Sequence, residues 1–210
     1  MNRGQEILQK YLPENSVEPI LDLLNKYSDL RLKISRKRNT KLGDYRILPS
    51  NQHQISINYN LNPYQFLLTL LHEIAHYLTY KKYGRRVKPH GKEWKKIFGA
   101  LIQDFLKPEI FPAELRTELS KYALNPKAST SGDGALYLKL SAYDTQLDQR
   151  MKYVFELEPG NYFSMENGSV FLLQEKRRTR FKCINLKNKK PYLVHQNARV
   201  YPIKKTDYEK

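Results

Sequence analysis

His72-Glu73-Ile74-Ala75-His76, followed after thirteen intervening residues by His90-Gly91-Lys92-Glu93-Trp94, decides how the first half of this chain is read. With 3.6 residues per turn, the two histidines fall on one face of a helix, about 6 Å apart along its axis. From there both imidazoles reach one metal ion at about 2.0–2.1 Å without breaking the helix. Glu73 lies about 100° further round, too far to share the ion easily and well placed to act on a water in an open position. A catalytic zinc site keeps three protein ligands and one open position. His90 and Glu93 both qualify as the third ligand. Glu93 is equally explained as a first-turn acid complementing a helix dipole.

The flanks support a helix with a core side and a site side. Asn62-Pro63 reads as an N-cap followed by proline in the first turn. Phe66, Leu67, Leu70, Leu71, Ile74 and Leu78 form an apolar arc across from His72 and His76. Gly84 marks the stop. After a short loop, a second helix is expected from His90 to about Leu106, so ligands on two antiparallel helices converge on one ion. His53 and His195 stand alone in strand-like or loop contexts and are read as structural or surface residues.

The stretch Leu70-Leu71-His72-Glu73-Ile74-Ala75-His76 followed by His90-Gly91-Lys92-Glu93-Trp94 resembles the SprT-like metalloprotease domain, the group that includes the Spartan proteases. That family carries HExxH on one helix and a third zinc histidine in an HGxxF/W-type motif opening the next. Thr40-Lys41-Leu42-Gly43-Asp44-Tyr45 and Gln54-Ile55-Ser56-Ile57-Asn58 are similar to the paired strands that precede the active helix. The resemblance covers about residues 5–122. It implies a zincin-like fold, with Zn²⁺ on His72, His76 and His90, and Glu73 as the catalytic base of a peptidase. It also implies protein substrates bound to DNA, DNA–protein crosslinks among them. The chain departs from many members in one respect. They continue into a four-cysteine zinc ribbon, whereas Cys183 is the single cysteine here, so the region after residue 130 must be held by a hydrophobic core.

Composition frames these readings. A chain of 210 residues with 40% apolar residues and sixteen tyrosines buries a real core. One cysteine rules out an internal disulfide and fits a reducing compartment. The start, Met1-Asn2-Arg3-Gly4-Gln5-Glu6, has no apolar signal core, and no run approaches the length of a membrane span. The expected location is the cytoplasm.

The net charge of +16 points to polyanions as partners. Between Glu175 and Lys205 there are eleven Lys or Arg against one acid. Lys176, Arg177, Arg178, Arg180 and Lys182 form the densest part, and Arg85 and Arg86 lie in the loop between the presumed ligands. Arg36-Lys37-Arg38 is a further cluster. Aromatic residues interleave with the cations, as in Arg180-Phe181 and Lys190-Pro191-Tyr192, a mixture that neutralises phosphates and stacks single-stranded bases. No helix-turn-helix, zinc-finger or RRM signature is present, so DNA or RNA binding is expected to be sequence-nonspecific.

The expected fold is α+β. A helical domain with a small β-sheet occupies residues 1–124, a turn-rich linker 125–134, and a small basic all-β domain 135–210. Six short strands between Lys152 and Ile203 suggest a barrel or curled antiparallel sheet. In the first domain, helices are expected near 5–11 and after Ser16, a strand over Arg31–Ile34, and a hairpin of Tyr45–Leu48 with Gln54–Asn58. A substrate strand is expected to add to the edge formed by Gln54–Asn58, and Tyr77, Tyr80 and Tyr83 are candidates to stabilise an oxyanion. The competing reading is a non-enzymatic nucleic-acid-binding protein with a structural or vestigial zinc site.

Overall fold

A computed structural model of the protein describes residues 3–38, 41–49, 51–128, 134–144, 148–204 and 206. Within them, apolar side chains collect into two separate cores. The chain divides accordingly into units Met1–Thr145 and Gln146–Lys210. Thr40, and residues 129–133 of the expected linker, lie outside the described residues.

The first unit runs α1 (Arg3–Leu8), α2 (Val17–Asn25), β1 (Leu30–Ser35), β2 (Gly43–Ile47), β3 (His53–Asn58), α3 (Pro63–Tyr83), α4 (Lys92–Phe105), α5 (Ala113–Leu124) and α6 (Gly134–Ser141). Helix α3 starts and stops where the sequence predicts. The Asn62 side chain accepts the Gln65 N–H at 3.0 Å, and Gly84 ends the helix with φ +63°. Both features are local chemistry: a cap for an orphan donor, and a left-handed residue that costs glycine little. The helix is buried nearly all round, from Phe66 through Thr79, as a central helix of a packed unit must be.

The sheet order is β1-β3-β2, with β1 parallel and β2 antiparallel to β3. The expected hairpin forms, with Tyr45 opposite Ile55 and Ile47 opposite His53. Strand β3 is not an edge, however. It lies between the other two, so Gln54–Asn58 has no free side to offer a peptide, and β2 is the open edge instead. The cause is β1, whose parallel pairing requires the segment after Ser35 to cross over β3 before β2 begins. Cross-strand partners share a face: Gly43, Tyr45, Ile55 and Ile57 lie on one face, Asp44 and Ser56 on the other.

Arg38 secures that crossing. Its Nε donates to Asn58 Oδ1 at 2.8 Å, Nη1 to Ser56 Oγ at 2.9 Å and Nη2 to the Ser56 carbonyl at 3.0 Å. Asn58 Nδ2 in return donates to the Arg38 and Lys41 carbonyls at 3.1 and 3.0 Å. Arg38 therefore leaves the basic surface cluster in which the sequence places it and becomes a structural clamp.

Helix α6 falls in the stretch expected to be all β, yet it belongs to the first unit. Leu136, Leu138 and Leu140 alternate with strand period, so spacing alone hides the helix. Leu136 and Leu140, one helical turn apart, are the two that join the core. Asn62 Nδ2 donates to the Leu140 carbonyl at 2.9 Å and to Asp144 Oδ1 at 2.6 Å, binding α6 to the start of α3.

The second unit is a six-stranded antiparallel sheet of order β4-β9-β5-β6-β7-β8. Its strands are β4 (Lys152–Tyr153), β5 (Tyr162–Ser164), β6 (Val170–Arg177), β7 (Arg180–Asn185), β8 (Pro191–His195) and β9 (Arg199–Ile203). The sheet does not close into a barrel: β4 and β8 remain its edges. Val154, Phe163, Phe171, Leu173, Cys183, Val194 and Val200 form its core.

Helices α4 and α5 approach closely because residue 99 is glycine. A Cβ there would run into the Ala123 carbonyl oxygen. Gly99→Ala is expected to cost about 1–3 kcal/mol by overpacking, read as a lowered urea midpoint with an unchanged slope.

Candidate active site

Helix α3 carries His72 and His76 one turn apart, and the turn before α4 brings His90 to them. The three Nε2 atoms form a triangle with sides of 3.1 Å (His72–His76), 3.0 Å (His76–His90) and 3.2 Å (His72–His90). Ligand atoms of a tetrahedral ion at about 2.05 Å lie about 3.3 Å apart, so the spacing fits a shared metal ion. Neutral imidazoles that converge in this way set lone pairs against one another unless protons or a cation lie between them. Among the described residues, these three are the group of His, Cys, Asp or Glu able to hold a metal ion. Glu93 is not in it.

His90 reaches the site in a specific manner. Helix α4 begins at Lys92 with Gly91 as its N-cap, so His90 precedes the helix instead of opening it. Its backbone is left-handed, with φ +56°. That conformation costs a non-glycine residue roughly 1–2 kcal/mol, a cost that a role in the site can justify.

Trp94 closes the site from behind. It is fully buried, with ring centroids 4.7, 5.3 and 4.6 Å from those of His72, His76 and His90. Phe98 continues the wall at 4.8 Å from Trp94. Burial and mutual repulsion push the His72 ring down to about 3 and His76 to about 4, and burial lowers His90 as well. All three are therefore neutral near pH 7, the form that ligates a metal.

Glu73 points from α3 toward β2 and is 6% exposed. Burial raises its carboxyl to about 8, and nearby Asp44 adds to the rise. Arg38, Lys41 and a hydrogen bond from the Tyr45 backbone oppose it. A dication held by the histidines would pull the carboxyl back toward the ordinary range. Glu73, the three histidines, Trp94 and residues 41–45 all line one cavity of about 680 Å³.

Two supports of this site escaped the sequence reading. Tyr45 lies nearly parallel to His76, 4° between planes at 6.5 Å, and its hydroxyl is 2.8 Å from Nδ1 of buried His53. His53 thereby braces a wall of the cavity from the core side. Gly43 is the second support, and its signal was a glycine inside a strand. Of the three tyrosine candidates, Tyr80 lines the cavity. The Tyr77 hydroxyl donates to Asp29 at 2.7 Å, and neither Tyr77 nor Tyr83 is part of the lining.

The basic residues separate into two groups. Arg85 lines the cavity mouth and Arg86 is exposed beside it in the α3–α4 turn. Lys176, Arg177, Arg178, Arg180 and Lys182 belong to the β6–β7 hairpin of the second unit. A one-residue bulge between Leu173 and Lys176 sets their directions. Lys176 pairs with buried Phe181 and sits 5.9 Å over its ring. Arg177 faces Arg180, and Lys182 faces Leu193, on the opposite side of the sheet. Arg178 occupies the turn with φ +52°. Phe181 belongs to the core and does not stack bases, contrary to the expectation for Arg180-Phe181. Tyr192 is 43% exposed and Leu193 55%. Arg177 carries an ion pair to Glu175 at 2.6 Å.

Residues 15–111 match the model of the SprT-like family. A Protein SprT from Vibrio parahaemolyticus is 39% identical over 75 residues, 35% of this chain and 41% of that protein. A Protein SprT from Actinobacillus succinogenes is 31% identical over 108 residues, 48% of this chain and 59% of that protein. The matched stretches thus span between two fifths and three fifths of these relatives. No solved structure matches the chain.

The lowered histidines have a consequence for the metal-free protein. In the unfolded chain these rings take up protons near pH 6.5; folded, His72 does so only near 3 and His76 near 4. Between those values the unfolded state holds more protons, so stability falls as pH falls. Glu73, raised to about 8, takes up its proton in the folded state over the same range and opposes this fall. In a Glu73→Gln background, urea midpoints of chelator-treated protein should therefore decline from pH 7.5 to 5, with a shallower decline when His76→Gln is added.

Proposed function

We propose that this chain, whose residues 15–111 match the SprT-like family model, is a zinc-dependent peptidase acting on proteins bound to nucleic acid. The observation that carries the first part is the union of three neutral imidazole nitrogens at 3.0–3.2 Å with a buried carboxylate in one cavity. His72, His76 and His90 would hold the zinc. When bound, zinc supplies a Lewis acid that polarises the scissile carbonyl and acidifies a water. Glu73 takes the proton of the attacking water and passes it to the leaving amine.

The open edge of β2 positions the substrate. Gly43–Tyr45 line the cavity beside Glu73, and an extended peptide added to that edge lies along the site with main-chain hydrogen bonds and little sequence preference. Tyr80, the one of the three candidate tyrosines that lines the cavity, is our candidate to donate to a developing oxyanion. The exposed face of the β6–β7 hairpin supplies the nucleic-acid contacts. Arg177 opposite Arg180 is a like-charge pair that Glu175, ion-paired to Arg177, offsets in part, and a phosphate would offset it further. Contacts of this kind are nonspecific and salt-dependent. A cytoplasmic location is part of this reading, to which the buried free thiol of Cys183 is suited.

Zinc-loaded protein should cleave a DNA-bound basic protein, and Glu73→Gln should slow cleavage by about 10²–10⁴-fold while retaining one zinc. A stoichiometric zinc without cleavage of any such substrate would leave a binding protein with a structural metal site. In fluorescence titrations with single-stranded DNA, Arg180→Ala and Lys182→Ala should each lower the slope of log K against log salt by about 0.7. Lys176→Ala should lower it less, because that ammonium sits over Phe181.

A further inference from the structure

The geometry points to Gly43 as the positioning residue for the catalytic base: its missing side chain is what lets the Glu73 carboxylate lie against β2 beside the histidine cluster. The inference rests on the peptidase reading of the site and adds a residue to it.

A Cβ at position 43 would stand 2.5 Å from Glu73 Oε1, 2.9 Å from Glu73 Cγ and 2.7 Å from Thr69 Cγ2. All three distances are shorter than van der Waals contact allows. The usual reason for a glycine does not apply here, because Gly43 is not among the glycines with left-handed backbone, which are Gly84, Gly160 and Gly168. Glycine also weakens the interior of a strand and often marks the close approach of another group. Position 43 thus requires glycine for space and not for conformation, and the groups filling that space are the side chain of the base and the Thr69 methyl.

Neither partner can step aside at little cost. Gly43 sits in register with Ile57, and the residues before it are bolted to β3. The Asn58 N–H donates to the Leu42 carbonyl at 2.9 Å, Asn58 Nδ2 to the Lys41 carbonyl at 3.0 Å, and Arg38 Nη2 to the Leu42 carbonyl at 3.4 Å. On the other side, Thr69 and Glu73 belong to a helix buried nearly all round. The movable part is the end of the Glu73 side chain. A methyl group at position 43 therefore turns the carboxylate away from β2 and out of line with the attacking water. The three heavy atoms nearest the added methyl belong to Glu73 and Thr69, and none to a histidine.

A double-variant cycle tests this with two independent readouts. Gly43→Ala in zinc-loaded protein should lower kcat about 100-fold, the loss typical of a misplaced catalytic group, with KM and zinc stoichiometry unchanged. The same substitution should lower the melting temperature by about 3 °C or more. In a Glu73→Ala background a measurable part of that thermal cost should vanish, and adding Thr69→Ser should remove the rest. An equal cost with and without the Glu73 side chain would overturn the proposal, because Gly43 would then serve strand packing alone. Loss of zinc in Gly43→Ala would overturn it as well, by assigning the glycine to the metal site. The melting cycle needs no substrate, so it decides the role of Gly43 even if the wild-type protein cleaves nothing and the peptidase reading fails.

Discussion

An ionisable carboxyl held inside a folded core is the constraint around which the first unit is organised. Glu73 lies between α3 and β2 with only a few per cent of its surface exposed, and burial drives its carboxyl up to about 8. A buried charge without compensation is costly. Partial compensation comes from the Tyr45 backbone and the fields of Arg38 and Lys41. The crossing of the chain over β3, clamped by Arg38, Ser56 and Asn58, fixes where β2 runs and hence what Glu73 meets.

The histidine cluster shows the same economy of elements. Two of its histidines are positioned by helical periodicity alone, which is rigid and local. The third depends on a left-handed residue and on the seating of α4, whose Trp94 touches all three rings. Gly99 permits α4 to pack tightly on α5, so the geometry of the histidine cluster ultimately rests on a helix crossing some distance from it. Tyr45, backed by His53, supplies the remaining aromatic wall. A cavity built in this way excludes solvent from one side of the cluster and leaves the β2 side open.

In the second unit the bulge in β6 matters more than the number of basic residues. It shifts the register by one residue, and in a strand one residue is the difference between the two faces. Lys176 is turned to the core side, whereas Arg177, Arg180 and Lys182 share the other. A run of cations that looks uniform in sequence therefore presents unequal chemistry. Leu193, exposed next to Lys182 in register, gives that face an apolar component beside its charge.

What the sequence by itself determined was whatever depends on short-range periodicity: the span and caps of α3, the common face of His72 and His76, the β2–β3 hairpin, the α+β class and most strand positions after residue 150. Each follows from contacts within a few residues, and such contacts are written in spacing. What only the tertiary structure decided were relations between distant segments. These include the central place of β3 once β1 pairs with it, α6 as part of the first unit through Asn62, and the open rather than closed second sheet. The conversion of Arg38 from surface cation to clamp belongs with them, as does the space that Gly43 leaves for Glu73. A glycine reads the same wherever it stands, and its meaning lies in the atoms that fill the space where its side chain would be.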